Sequence, residues 1–142
     1  MLHMEVGDRM YIEEKISGFA KRLAEDGIVE RQVDLLLLGF GYAVRNRIKP
    51  DDRIKRHELL RAGGIDEDTR TAVEAVAPWF AKEIGIEEPQ DERGLLDLVC
   101  RVGSAGVAKL LKEWEGKSKS QIELAILRLS ESGHGDNTHV QS

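Results

Sequence analysis

The stretch VDLLLLGFGYAVRN, residues 33–46, decides the fold. From Val33 to Val44 only Asp34 interrupts the apolar residues. Such a segment is either a helix enclosed by its neighbours or a buried strand, and its length and leucine run favour the helix. Gly39 and Gly41 would each cost about 1 kcal/mol against alanine inside a helix, so close backbone approach or a local loosening is expected there. At twelve residues the apolar run is too short to span a membrane.

Working outward, the flanking segments repeat the helical signal. Ile12, Ile16, Phe19 and Leu23 recur at intervals of three and four, with Gly27 as a C-terminal stop. Past residue 46, Pro50 disfavours helix at Lys49, and Gly63-Gly64 close a charged loop in which one short helix is predicted around Lys55 to Arg61. Asp66 can cap a helix through Thr69, Ala72, Val73 and Val76, which Pro78 should kink or restart before Trp79, Phe80 and Ile84. Leu95, Leu98, Val99, Val102, Val107, Leu110 and Leu111 give a further helix whose GSAG patch, residues 103–106, invites a close neighbour. Ser118 with Gln121, or Ser120 with Glu123, forms a capping box before Ile122, Ala125, Ile126 and Leu129. The expectation is an all-α protein, a compact bundle of five to six helices, without strands or internal repeats. Residues 1–8 are expected to be a flexible leader, 9–132 a single helical domain and 133–142 a flexible tail.

Composition fits that plan. A chain of 142 residues that is 41% hydrophobic and 33% charged is long enough for one core and too apolar for wholesale disorder. Its single cysteine, Cys100, excludes an internal disulfide framework and suits a reducing compartment. The opening MLHMEVGDRM lacks the regions of a signal peptide, so a cytoplasmic location is expected.

Net charge is −5, which argues against non-specific nucleic-acid binding by the whole surface, yet the charge is unevenly placed. Residues 44–61 carry +4 and the remainder −9. The basic residues Arg45, Arg47, Lys49, Arg53, Lys55, Arg56 and Arg61 form a candidate phosphate-binding patch, set against the plainer reading of a solvated face paired with Asp51, Asp52 and Glu58. No aromatic interleaves them in the manner of single-strand stacking. From Asp66 to Glu92 nine acidic residues face two basic ones. Asp66, Glu67, Asp68, Glu87 and Glu88, with Trp79, are the candidate surface for a partner protein, since tryptophan is enriched in binding hot spots. Packing in the core is the competing role for Trp79, as for Trp114.

Catalytic and metal chemistry find little footing. The acidic spacing matches no calcium loop. His134, Asp136 and His139 cluster in the expected tail, where ligand geometry would not be held, and His3 and His57 stand alone. Cys100 among Leu96, Val99 and Val107 reads as a buried thiol, and Ser104 in VGSAG as a packing residue rather than a nucleophile elbow. No cofactor, metal or catalytic residue is expected.

Two segments carry a resemblance. VDLLLLGFGYAVRNRI, an apolar helix running into Gly41-Tyr42 and a basic tail, and LLDLVCRVGSAGVAKLLKEW, a helix with a small-residue patch, resemble small accessory proteins of prokaryotic DNA phosphorothioation systems. Gly106-Val107 stand where that family has a Gly-Leu pair, and Val102 replaces the aromatic that usually precedes the patch. The likeness runs from about Val29 to Trp114. It implies an accessory role in a DNA-modification or anti-phage defence system, acting through protein partners or DNA. The leading expectation is a non-enzymatic adaptor that binds protein subunits of a larger complex, the alternative a DNA-binding module using the basic 45–61 patch; a homo-oligomer is a separate option. The family offers no catalytic residues to carry over.

Overall fold

A computed structural model describes residues 1–141, with side chains through residue 130. The elements are β1 (Arg9–Glu13), α1 (Glu14–Glu25), α2 (Gln32–Asn46), β2 (Arg56–Arg61), a 3-10 turn (Ala62–Gly64), α3 (Glu67–Glu83), α4 (Glu92–Trp114) and α5 (Lys119–Gln141). The protein is thus mostly helical, but it is not all-α: β1 and β2 pair antiparallel into a two-stranded sheet. His134, Asp136 and His139, with the tail expected over 133–142, fall where side chains lie outside the described residues.

The core is the contact of α2 with α4. Leu35 and Leu36 of α2 and Leu95, Leu96, Leu98, Val99 and Val102 of α4 are at most 1% exposed. The helices meet on glycine. A Cβ on Gly39 would stand 2.5 Å from the Gly103 carbonyl oxygen, and one on Gly103 2.7 Å from the Leu36 carbonyl oxygen. Both small-residue patches therefore serve the close approach that their composition predicts, whereas Gly41 meets nothing within 4 Å.

Around this pair, α1 buries Ile16, Phe19, Ala20 and Leu23, and Phe19 leans on Trp114 with ring centroids 6.2 Å apart. Gly27, at a φ of 72°, follows the end of α1 as expected of a glycine stop. Asp66 caps α3 by accepting from the Thr69 N–H, and Ser118 and Gln121 exchange capping bonds of 3.2 and 2.8 Å at the start of α5.

Two local expectations need correction. Residues Arg56–Arg61, expected to be helical, form β2, and Ile12, expected on the first helix, lies in β1 opposite His57. Met10, Tyr11 and Ile12 are all at most 2% exposed, because β1 lies between the helices and β2. Two β1 amides are satisfied by α4: the Tyr11 N–H donates to Cys100 Sγ at 3.3 Å and the Glu13 N–H to Ser104 Oγ at 3.0 Å. Two residues of strand and four residues of helix advance the chain by nearly the same distance, ~6–7 Å, which lets an i, i+4 pair serve alternate amides. Of the kink or restart expected at Pro78, the restart is the part to correct: Pro78 lies inside α3, which runs on to Glu83, held by the buried Ala77, Phe80 and Ala81.

The N-terminal segment is tied to the fold. Met4 is 3% exposed, its N–H donates to Glu74 Oε2 at 2.7 Å, and His3 Nδ1 lies 3.0 Å from Glu74 Oε1. Among the described residues no helix is long and apolar enough to cross a membrane.

Candidate functional site

The chain following α2 returns across the outer face of α4, and there the structure divides the basic run. Arg45 Nη1 donates to the Leu129 carbonyl at 3.3 Å, tying α2 to α5. Arg47, in the left-handed region with a φ of 54°, ends α2 and reaches the Glu83 carbonyl at 3.2 Å and its carboxylate at 3.8 Å. Lys55 pairs with Glu14 at 3.4 Å, and Arg61 donates to the Gly7 carbonyl at 2.7 Å. These four residues point to different neighbours.

Lys49, Arg53 and Arg56 stay beside α4, joined by four cations that the sequence reading did not single out: Arg93, Arg101, Lys109 and Lys112. Two adjoining grooves hold them. The first, about 590 Å³, is lined by Asp52, Arg53, Ile54, Arg56, Asp91, Arg93, Gly94, Asp97 and Arg101. The second, about 200 Å³, is lined by Ile48, Lys49, Asp51, Ala105, Ala108, Lys109 and Lys112. Arg101 of the first donates through Nη1 to the carbonyl of Asp51 in the second, at 3.0 Å, so the two share a wall. On α4 the lining positions 93, 97, 101, 105, 108 and 112 recur at four and three and occupy one face for about 28 Å.

At the middle of the first groove sits Asp97. Its carboxylate accepts from Arg101 Nε at 2.9 Å, from Arg56 Nη2 at 3.1 Å and from the Tyr11 hydroxyl. The Arg56 guanidinium also stacks 4.5 Å from the centre of the Tyr11 ring. Burial and the bond to Asp97 push the Tyr11 hydroxyl far above its usual range, so it remains a donor. Arg93 reaches only Asp8, at 4.0 Å. Among the described residues Lys49, Arg53, Lys109 and Lys112 stand in no ion pair and are exposed.

This arrangement can attract anions; it is poorly suited to proton transfer. Asp97 has its oxygens occupied by three donors. The Cys100 thiol, fully buried, is pushed up to about 12 by desolvation and is no nucleophile near neutral pH. Among the described residues no group of three His, Cys, Asp or Glu side chains could hold a metal ion.

The acidic candidates lie elsewhere. Asp66, Glu67 and Asp68 are exposed at the start of α3, while Glu87 and Glu88 are exposed beyond its end, so about 25 Å of helix separates the two groups. Trp79, whose competing role was the core, is 54% exposed between them; its neighbour Phe80 is the buried one, at 1%.

No family model matches the chain, nor does any curated protein or solved structure.

Proposed function

We propose that this chain is a non-enzymatic accessory subunit, working in the cytoplasm as part of a DNA-modification or anti-phage defence system, and that it meets DNA along the outer face of α4. The observation that carries the reading is the convergence of Lys49 and Arg53 with Lys109 and Lys112 along one helix face, in a protein whose net charge is −5. Solvated cations that can release phosphate counterions supply sequence-independent affinity, and a face about 28 Å long can follow several phosphates. The system is drawn from the resemblance carried by residues 33–48 and 95–114.

Fluorescence anisotropy with labelled duplex DNA at low and moderate salt tests the contact. The protein should bind at low salt, and replacing Lys49, Arg53, Lys109 and Lys112 together by glutamate should abolish binding. Equal binding by that variant, with its circular dichroism unchanged, removes the reading.

The second reading, an adaptor that docks a partner protein on α3, is favoured by the exposure of Trp79. Its test is native co-purification: a partner of defined stoichiometry should be recovered with the wild-type chain and lost with Trp79→Glu.

A further inference from the structure

The outer face of α3 has a pattern of its own. Asp68, Ala72, Ala75, Trp79 and Glu83 are spaced by four, three, four and four residues, fall on one stripe and are all exposed. Two alanines there leave the helix backbone open to close approach, and the indole of Trp79 stands beside them as the one large apolar side chain on the stripe. Acids mark both ends: Glu67 with Asp68 at one, Glu83 with the following Glu87 and Glu88 at the other, against two cations on the helix itself, Lys82 and Arg70, of which Arg70 is turned to the carbonyls of Ala62 and Ile65. Glu83 is shared with Arg47 at 3.8 Å, whereas among the described residues Asp68, Glu87 and Glu88 enter no ion pair.

We infer that this face receives a basic amphipathic helix from a different protein, its small-residue seam against Ala72 and Ala75, an apolar pocket over Trp79, and lysines or arginines reaching the acids at either end. The inference rests on the partner-docking reading and adds the partner's chemistry. Helix-in-groove recognition works through anchors at such spacing, and the charges select register and partner. A second copy of this chain is a poor occupant. Each copy carries a net charge of −5, and its cations on α4 share their grooves with Asp51, Asp52, Asp91 and Asp97.

The test uses the full chain and two fluorescein-labelled helical peptides with the same leucine and alanine seam, one rimmed with lysine and arginine, the other with glutamate. Anisotropy should report saturable binding of the basic peptide, weakened at least tenfold in Trp79→Ala and at least threefold by raising the salt. The glutamate-rimmed peptide should not bind. Equal, Trp79-dependent binding of both peptides overturns the basic partner while leaving α3 as a docking face. Binding of neither overturns the inference and the docking reading together. Self-association in sedimentation velocity that disappears in Trp79→Ala gives the face to a second copy and also overturns the inference.

Discussion

Gly106 lies directly on the backbone of Gly39: a Cβ at Gly106 would stand 1.8 Å from the Gly39 carbonyl oxygen and 2.9 Å from its Cα. The obstacle is main chain of another helix, which no rotamer change can move aside. Overpacking a core ordinarily costs about 1–3 kcal/mol when side chains can yield. Gly106→Ala must part α2 from α4 and should cost about 3 kcal/mol or more, read as a fall in the urea midpoint. Gly41→Ala, on the open side of α2 with nothing within 4 Å, should instead stabilise by about 0.5–1 kcal/mol through helix propensity. Equal effects of the two substitutions would refute the glycine seam.

The helical part of this fold was legible because its signals are local. Gly27 and Asp66 act within one turn of chain, the unbroken apolar run of residues 33–44 marks the enclosed helix, and the apolar period of residues 95–111 names the face that meets it. The sheet was not legible, since β2 has meaning only opposite β1. Arg56–Arg61 is largely exposed and charged, so it carries no strong period, and the amides of Tyr11 and Glu13 are served by Cys100 and Ser104, residues whose sequence context speaks only of packing. The candidate site was half legible for the same reason. Lys49, Arg53 and Arg56 stand out as a run, while Arg93, Arg101, Lys109 and Lys112 are scattered on what reads as an ordinary polar helix face. Their spacing at 93, 101, 109 and 112 was the available signal, and only the path of residues 48–55 over α4 gives it significance. Trp79 and Phe80 are adjacent and chemically alike, and the phase of α3 alone decides which one is buried.

Glu74 is a buried carboxylate, 3% exposed, that accepts from the Met4 N–H and meets His3. Removing it leaves the Met4 amide without its acceptor inside the protein, at a cost of about 1–3 kcal/mol. Glu74→Ala should accordingly accelerate hydrogen exchange and proteolysis over residues 3–8. Glu74→Gln keeps a carbonyl oxygen for that amide and should retain most of the protection. Unchanged exchange at Met4 in Glu74→Ala would refute the tie.

Alkaline conditions should destabilise the protein through the buried Cys100 thiol and the half-buried Tyr42 hydroxyl. The Cys100 thiol is pushed from an ordinary 9.0 up to about 12 by burial, and the Tyr42 hydroxyl from 10.0 up to about 12 by burial and its bond to Glu113. In the unfolded chain these groups lose their protons first, so between about 9 and 12 the native state binds more protons and stability falls as pH rises; below pH 9 their contribution is fully present. Denaturant midpoints should decline across that window, and Cys100→Ala should flatten the decline at a constant cost near neutral pH, because the Tyr11 N–H loses the sulfur it donates to. The same substitution should remove the only thiol, and in the wild type that thiol should be inert to Ellman's reagent at pH 8 until denaturant is added. Rapid labelling of the native protein would contradict its burial.

Asp97 withholds two guanidiniums from the furrow. Arg101 and Arg56 both donate to it, and the Tyr11 hydroxyl adds a third bond. Asp97→Asn preserves one carbonyl oxygen and similar volume but removes the charge that holds the arginines, so the fold should lose about 1–3 kcal/mol while both cations become free to meet phosphate. If α4 is the DNA-binding face, duplex affinity at low salt should rise and its dependence on salt should steepen. Each added phosphate contact increases the slope of log K against log salt by about 0.9, so two freed arginines should add up to ~1.8. A merely structural Asp97 predicts the reverse, a weaker fold with DNA affinity unchanged or lower. Anisotropy titrations at three salt concentrations on the folded variant separate the two outcomes, because loss of stability alone cannot increase the slope.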